Sequence, residues 1–175
     1  RTLISLFSSW NPVKREPFQL KGYETLWAEF PEDKEPHIEK SAEPDWLAHW
    51  EGAGNDSFTP PEVDAQEDPL LAEEVASLVE VRNHILTGDV SSVSVEPLQC
   101  EGGDRFATNR FFQTLRVMTR AMGVALIFDE VQTGFGLGGH ELWSNSFDLK
   151  TSEGEPLGAD FINLAKKCQV GAVLS

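Results

Sequence analysis

The sequence lacks the features of a disulfide-stabilised, zinc-binding or membrane-spanning protein. Its two cysteines, Cys100 and Cys168, are too few and too widely spaced for a disulfide scaffold or a zinc ribbon, so we expect free thiols. No segment reaches the roughly 18 apolar residues that a spanning helix needs, and the first residues lack the basic-then-apolar layout of a signal peptide. We therefore predict a cytoplasmic protein.

Basic residues are also scarce. The chain has 14 lysines and arginines against 29 aspartates and glutamates, which gives a formal net charge of -15. The resulting field repels nucleic-acid backbones and anionic membrane surfaces, so we expect no nucleic-acid partner and no membrane partner. At 175 residues and 40% hydrophobic, the chain has the size of one ordinary domain and enough apolar residues for a core.

The first part of the chain is irregular. Short apolar runs at 3–7 and 23–27 predict one or two strands, and the acidic, proline-rich segment 31–69 indicates a surface loop or insertion. Within that segment Trp46 and Trp50 lie four residues apart, so both indoles would occupy one face of a short helix. We expect this helix to pack on the body of the protein, with a partner-binding patch as the alternative.

The rest of the chain alternates between helical and strand patterns. An amphipathic helix is predicted at 70–86 and a second helix at 109–122, while strands are predicted at 90–95, 124–128 and 160–165. Strands with continuous apolar character that alternate with helices are typical of a parallel sheet covered on both faces. The sequence therefore predicts the α/β class, as a three-layer α/β/α sandwich with a mostly parallel sheet.

Polar side chains follow three successive predicted strands. Glu96 and Glu101 follow the first, Asp129 and Gln132 follow the second, and Lys166 follows the third. Ligands of open α/β sheets bind at the carboxyl ends of the strands. We therefore expect these carboxylate, amide and amine groups to form one site.

Motif spacing disfavours two alternative interpretations of the segment around Asp129. An apolar strand that ends in Asp129-Glu130 could hold magnesium in a nucleotide hydrolase, but the required Gly-x-x-x-x-Gly-Lys-Ser/Thr loop does not occur. The glycines at 134–139 have the wrong spacing for a dinucleotide-binding loop, and the two acids before them would repel a pyrophosphate.

Three motifs in order resemble those of class III aminotransferases. They are Ile-Phe-Asp-Glu-Val-Gln-Thr-Gly-Phe-Gly at 127–136, Val-Glu-Pro-Leu-Gln-Cys-Glu-Gly-Gly at 95–103, and Asp-Phe-Ile-Asn-Leu-Ala-Lys at 160–166. The resemblance covers roughly residues 90–170. It implies the large domain of a fold-type I enzyme that depends on pyridoxal 5'-phosphate.

The resemblance also implies a role for each matching residue. Asp129 would keep the pyridine nitrogen protonated, Gln132 would orient the ring hydroxyl, and Lys166 would bind the cofactor aldehyde and shuttle a proton. Lys166 rather than the adjacent Lys167 matches the family pattern. Glu101 resembles the gating glutamate that pairs with a substrate-binding arginine in members that transfer terminal amines.

Within the family, two segments are most similar to lysine 6-aminotransferases: Lys-Lys-Cys-Gln-Val-Gly-Ala-Val at 166–173 and Cys-Glu-Gly-Gly-Asp-Arg at 100–105. The implied reaction moves a terminal amino group, with L-lysine as the donor and 2-oxoglutarate as the acceptor. The double lysine also occurs in 4-aminobutyrate aminotransferases, so that donor is the alternative. The family further implies a homodimer in the full-length protein, whereas an inactive or regulatory relative is the non-enzyme alternative.

By the same resemblance, residues 1–175 would be an incomplete large domain. The family's phosphate-binding loop would precede Arg1, and the small domain with the substrate-binding arginine would follow Ser175. We therefore expect the isolated 175 residues to bind the cofactor weakly and to turn over little substrate.

Four further polar residues have less specific interpretations. Glu96 could form a structural hydrogen bond at the sheet edge or belong to the site, and Cys100 is expected to be a small buried side chain rather than a reactive thiol. His84 and His140 do not have metal-ligand spacing, so no metal site is expected.

Overall fold

The computed structural model describes residues 24–37 and 39–175, together with the single positions Val13, Glu16 and Gly22. The apolar run at 3–7 lies outside the described residues. The described part of the second run, 24–27, has no regular secondary structure, so the strand predicted there is wrong. Within the described part of the chain, no helix is both long and apolar enough to cross a membrane.

A four-stranded sheet forms the centre of the described structure. Its strands are β1 (Ser92–Val95), β2 (Ala125–Asp129), β3 (Phe161–Leu164) and β4 (Ala172–Leu174), and they lie side by side in chain order. β1 pairs with β2 and β2 with β3 in parallel, whereas β3 and β4 are antiparallel. The three predicted strands and the α/β class are confirmed, and β4 is an additional strand that the sequence patterns did not predict.

Within residues 39–175, three α-helices accompany the sheet: α1 (Pro44–Glu51), α2 (Pro69–Ile85) and α3 (Asn109–Ala121). The Asp68 carboxylate accepts a hydrogen bond from the Leu71 N–H at 2.9 Å, and the Thr108 hydroxyl accepts one from the Phe111 N–H at 3.1 Å. These side chains satisfy amide groups that the first helical turn leaves unpaired and so define where α2 and α3 begin. Both predicted helices are confirmed to within one residue at each end.

The core lies between the sheet and α3. Phe112 of α3 stacks on Phe147 with ring centroids 4.0 Å apart, and both rings contact Phe128 of β2 at 5.8 Å. Because α3 connects the parallel strands β1 and β2, this packing fixes the crossover against one face of the sheet.

The acidic segment 31–69 contributes to this core. Leu47 and Trp50 of α1 are fully buried, and the Trp46 indole N–H donates a hydrogen bond to the Thr114 hydroxyl of α3 at 2.8 Å. The prediction that both indoles lie on one helix face and pack on the body is confirmed, since their rings are 6.2 Å apart. Within this segment, α1 is therefore a packed layer over α3 rather than part of a surface loop.

Candidate active site

The register of the sheet brings the candidate residues to one edge. Asp129 is the last residue of β2 and pairs with Asn163 of β3, while Phe128 pairs with Val95, the last residue of β1. Glu96 therefore follows β1 at the level of Asp129. In a strand, successive side chains point to opposite faces, so Asp129 lies on the face opposite Phe128 and the aromatic core.

Lys166 lies just beyond the end of β3 and contacts two of the predicted residues. Its amine donates a hydrogen bond to the side-chain oxygen of Gln132, and it is 4.0 Å from a carboxylate oxygen of Glu101. The Lys166 backbone N–H donates to the carbonyl of Val131 at 3.0 Å, which fixes the end of β3 against the turn after β2. The structure thus brings Lys166, Gln132 and Glu101 together, as the sequence predicts.

Asp129 begins the turn that carries Gln132. Its Oδ1 accepts a hydrogen bond from the Val131 N–H at 3.0 Å, an interaction that satisfies the backbone where the strand ends. The same turn places the Val131 carbonyl toward Lys166. Asp129, Gln132 and Lys166 are therefore held by one set of backbone contacts at the carboxyl edge of the sheet.

Glu101 lies on a tight loop after β1. Gln99 and Arg105 exchange backbone hydrogen bonds of 3.0 and 3.2 Å across the base of this loop, so its tip is constrained. Gly102 lies against Gln99, and a Cβ at this glycine would approach the Gln99 side chain to 2.4 Å. Gly103 has φ of 121°, a conformation that glycine adopts without strain. The two glycines after Glu101 thus allow the turn that directs this loop to the site.

Glu96 joins the site through both hydrogen bonding and charge. Its Oε2 accepts a hydrogen bond from the Cys100 N–H at 3.3 Å. Burial raises the pKa of Glu96 to about 7, and the nearby carboxylates of Asp129 and Glu101 add to the rise, while the Cys100 N–H and Lys166 oppose it. Glu96 therefore combines the two roles that the sequence left open, a structural hydrogen bond and a place beside the site.

Cys100 is half-buried next to this carboxyl group. Burial raises the pKa of its thiol to about 11, with a further contribution from the charge of Glu96. A thiol with a raised pKa is a poor nucleophile at neutral pH, so the structure supports the predicted packing role for Cys100.

Glu130 has a different role from its neighbour Asp129. It is buried, with 1% of its surface exposed, and its carboxylate accepts hydrogen bonds from the backbone N–H groups of Trp143 and Ser144 at 2.8 Å and from the Thr133 hydroxyl at 2.9 Å. These contacts fasten the glycine-rich segment after β2 to the short 3-10 helix Trp143–Phe147. The adjacent acids look like a pair in the sequence, and their separate roles were not predicted.

Asn163 is a second residue that the sequence patterns did not single out. Its side chain is fully buried in the middle of β3, directly across from Asp129. No role was predicted for this asparagine within its strand, and only the register of the sheet reveals its position. Among the residues that the structure describes, no group of three or more His, Cys, Asp or Glu side chains could hold a metal ion.

The arrangement as a whole is a cationic amine flanked by an amide and carboxylates at the end of a parallel sheet. A carboxylate is suited to pair with a protonated ring nitrogen, and an amine is suited to bind an aldehyde covalently. Comparison with known proteins identifies the family of the chain. The family model for class-III aminotransferases matches residues 38–174, and the chain is a member of that family.

Individual relatives are named for different amino donors. The chain is 40% identical over 106 residues to a 4-aminobutyrate aminotransferase of Mycosarcoma maydis, covering 61% of this chain and 20% of the relative. It is 52% identical over 80 residues to a 4-aminobutyrate aminotransferase of Dictyostelium discoideum, covering 46% and 15%. A solved lysine aminotransferase from M. tuberculosis superposes with a TM-score of 0.55 at 32% identity, covering 67% of this chain and 25% of that one. The chain thus spans about a fifth of the length of the curated relatives it matches.

Proposed function

We propose that the protein is a transaminase that uses pyridoxal 5'-phosphate to move a terminal amino group to 2-oxoglutarate, with L-lysine as the donor. The observation that carries this proposal is the contact between the Lys166 amine and Gln132, beside Asp129 at the end of the neighbouring strand. The proposal concerns the whole protein, since the chain spans only part of its relatives.

The residues present fit this cofactor. When bound, it supplies an electron sink that stabilises negative charge at the carbon that bears the amino group. Asp129 would pair with the protonated ring nitrogen, because its carboxylate ends a rigid strand and is anchored by the Val131 N–H. Gln132, on the same turn, would orient the ring hydroxyl, and Lys166 would hold the aldehyde carbon.

Lys166 is also the residue proposed to move the proton between substrate and cofactor. The amide oxygen of Gln132 accepts a hydrogen bond from its amine and fixes the direction in which it points, while the Glu101 carboxylate lies 4.0 Å away. The adjacent Lys167 is exposed, as Lys166 is, but within the described part of the chain its amine has no hydrogen bond or ion pair. These differences support Lys166 as the proton-transferring residue.

The choice of donor rests on two kinds of support. The solved relative from M. tuberculosis is named a lysine aminotransferase. Glu101, which by the family resemblance would be the gating glutamate of terminal-amine transferases, lies 4.0 Å from the Lys166 amine. The alternative donor is 4-aminobutyrate, since several relatives are named for it. We further propose a homodimer, because the resemblance to the family implies that these sites form between two subunits. The cytoplasmic location stays a prediction, and the rat relative is named mitochondrial.

The test uses the full-length protein that carries this chain. Pyridoxal 5'-phosphate is added, the covalent bond between lysine and cofactor is reduced with borohydride, and the modified peptide is identified by mass spectrometry. We expect the label on Lys166, loss of the label in Lys166→Ala, and retention in the matched control Lys167→Ala. A label on Lys167, or on neither lysine, contradicts the proposed site.

The donor is then identified by a direct comparison. Glutamate formation from 2-oxoglutarate is measured with L-lysine, 4-aminobutyrate and L-ornithine as donors. The proposal requires the largest kcat/KM for L-lysine. A larger kcat/KM for 4-aminobutyrate would show that 4-aminobutyrate is the donor, while the proposed reaction, transfer of a terminal amino group, would stand.

A further inference from the structure

Asn163 is a buried polar residue without a hydrogen-bond partner. Its exposed fraction is 0%, and neither its amide nitrogen nor its amide oxygen has a partner among the residues that the structure describes. Burial of an unpaired amide destabilises a folded protein, and such groups are rare in native structures. A strand residue that packs without polar contacts would be expected to be apolar, so this asparagine requires an explanation.

The position of Asn163 in the sheet supplies one. The preceding residue, Ile162, packs against the core, so the Asn163 side chain lies on the opposite face of β3. Asp129 is its register partner on β2 and lies on this same face. Adjacent strands are about 4.8 Å apart, which places the two side chains within reach of one hydrogen bond after a change of rotamer.

Asp129 has a fixed contact at one carboxylate oxygen, since the Val131 N–H holds Oδ1 at 3.0 Å. On the β1 side of Asp129 lies Glu96, a carboxyl group, and on the β3 side lies Asn163. In this row of three residues, Asn163 alone carries amide N–H groups in its side chain.

We propose that Asn163 is a positioning residue that donates a side-chain hydrogen bond to the Asp129 carboxylate when the cofactor binds. This inference rests on the proposed function, in which Asp129 pairs with the protonated ring nitrogen. A hydrogen bond from the β3 side, added to that of the Val131 N–H, fixes the carboxylate plane. Hydrogen bonds to charged acceptors are stronger than those between neutral groups, so a bond to the Asp129 carboxylate would offset the cost of burying the Asn163 amide.

The test replaces Asn163 with leucine, which has the same branched side-chain skeleton and no polar side-chain atoms, in the full-length protein that carries this chain. Without cofactor, we expect Asn163→Leu to unfold at the same or a higher temperature, because the substitution removes an unpaired buried amide. With pyridoxal 5'-phosphate, we expect the dissociation constant to rise about tenfold, the effect of one charge-assisted hydrogen bond.

An analogue of the cofactor separates positioning from packing. In 1-deazapyridoxal 5'-phosphate a C–H group replaces the ring nitrogen, so Asp129 has no cation to pair with. We expect Asn163→Leu to leave the affinity for this analogue unchanged. The variant Asn163→Thr retains a hydrogen-bond donor and should recover part of the affinity for the natural cofactor.

The matched control is Asn109→Leu. Asn109 is also buried and has an unpaired amide oxygen, but its amide nitrogen donates to the Ser41 hydroxyl at 2.8 Å, and it lies on α3 rather than on the sheet. This control should lower the unfolding temperature and leave the ratio of the two cofactor affinities unchanged.

Three results would overturn the role of Asn163. They are equal weakening of both cofactors by Asn163→Leu, no weakening of either, or a lower unfolding temperature without cofactor. If the unmodified protein binds neither cofactor, the proposed function itself fails, and this result is distinct from the other three.

Discussion

Replacing Glu96 with glutamine should stabilise the protein at pH 8 and change its stability little at pH 4. Burial and the neighbouring carboxylates raise the pKa of Glu96 from 4.5 to about 7 in the folded protein. The folded state therefore binds this proton more tightly than the unfolded chain does. As the pH rises from 4.5 to 7, the unfolded chain releases this proton while the folded state still binds it, and the stabilisation of the folded state by the bound proton is lost. Ionisation of Glu96 therefore lowers the free energy of unfolding.

The expected size of the effect follows from the two pKa values. A pKa difference of one between the folded and unfolded states corresponds to about 1.4 kcal/mol, so ionisation of Glu96 lowers the free energy of unfolding by about 3 kcal/mol above pH 7. Glutamine is neutral at every pH and can still accept the Cys100 N–H. The stability difference between variant and wild type should thus rise from below about 1 kcal/mol at pH 5 to about 3 kcal/mol at pH 8.

Urea unfolding followed by tryptophan fluorescence, at intervals between pH 4 and 8, measures this difference. The control is Glu153→Gln, which removes a carboxylate that is exposed and distant from the sheet edge, and which should show no such trend. A stability difference that is constant with pH, or a Glu96→Gln variant that is less stable than wild type at pH 8, would refute the reasoning.

Three further predictions concern packing and reactivity. Glu74→Ala should lower the free energy of unfolding by about 3 kcal/mol in urea titrations, because it leaves Arg110 without the buried carboxylate that it binds at 2.8 Å; a loss below about 1 kcal/mol would contradict this. Gly134→Ala should lower the unfolding temperature, since a Cβ would approach Leu164 to 2.7 Å, and an unchanged temperature would show that the strand end can shift. The rate of Cys100 alkylation by iodoacetamide should rise several hundredfold from pH 8 to pH 11, as its thiol has a pKa of about 11; a rise of only about fourfold, as for a free thiol of pKa about 8.5, would contradict that value.

The regular elements of the fold could be predicted because each carries a strong local pattern. β1 and β2 are rich in β-branched or apolar residues, and α3 has apolar positions with helical spacing. β4 has three residues, and its pairing depends on β3, so no local pattern distinguishes it from a loop. The run at 23–27 has a strand-like composition, but its described residues pair with no strand.

The segment 31–69 shows how composition can mislead. Acidic residues and prolines dominate its composition, which therefore indicates a loop at the surface. The core contacts come from a few large side chains, Leu47 and Trp50 among them, whose burial depends on the complementary face of α3. The spacing of Trp46 and Trp50 indicates the helix α1, but only its contact with α3 shows that α1 is a layer of the core.

The residues of the candidate site that could be predicted are those that lie within a recognisable sequence motif. Glu101, Gln132 and Lys166 come together because three motifs follow three strands, and that arrangement is a property of parallel sheets. The roles of Glu130 and Asn163 could not be predicted, since they depend on burial and on strand register. Neither property has a signature in a single sequence.

The parallel pairing of β1, β2 and β3 also bears on how the protein folds. Lys166 and Gln132, which contact each other, are 34 residues apart in the chain, and Glu96 and Asp129 are separated by the whole of α3. Contacts between such distant residues form only after the intervening loops have closed, which makes parallel sheets slow to assemble. We therefore expect the contacts of the candidate site to form only after β1, β2 and β3 have paired.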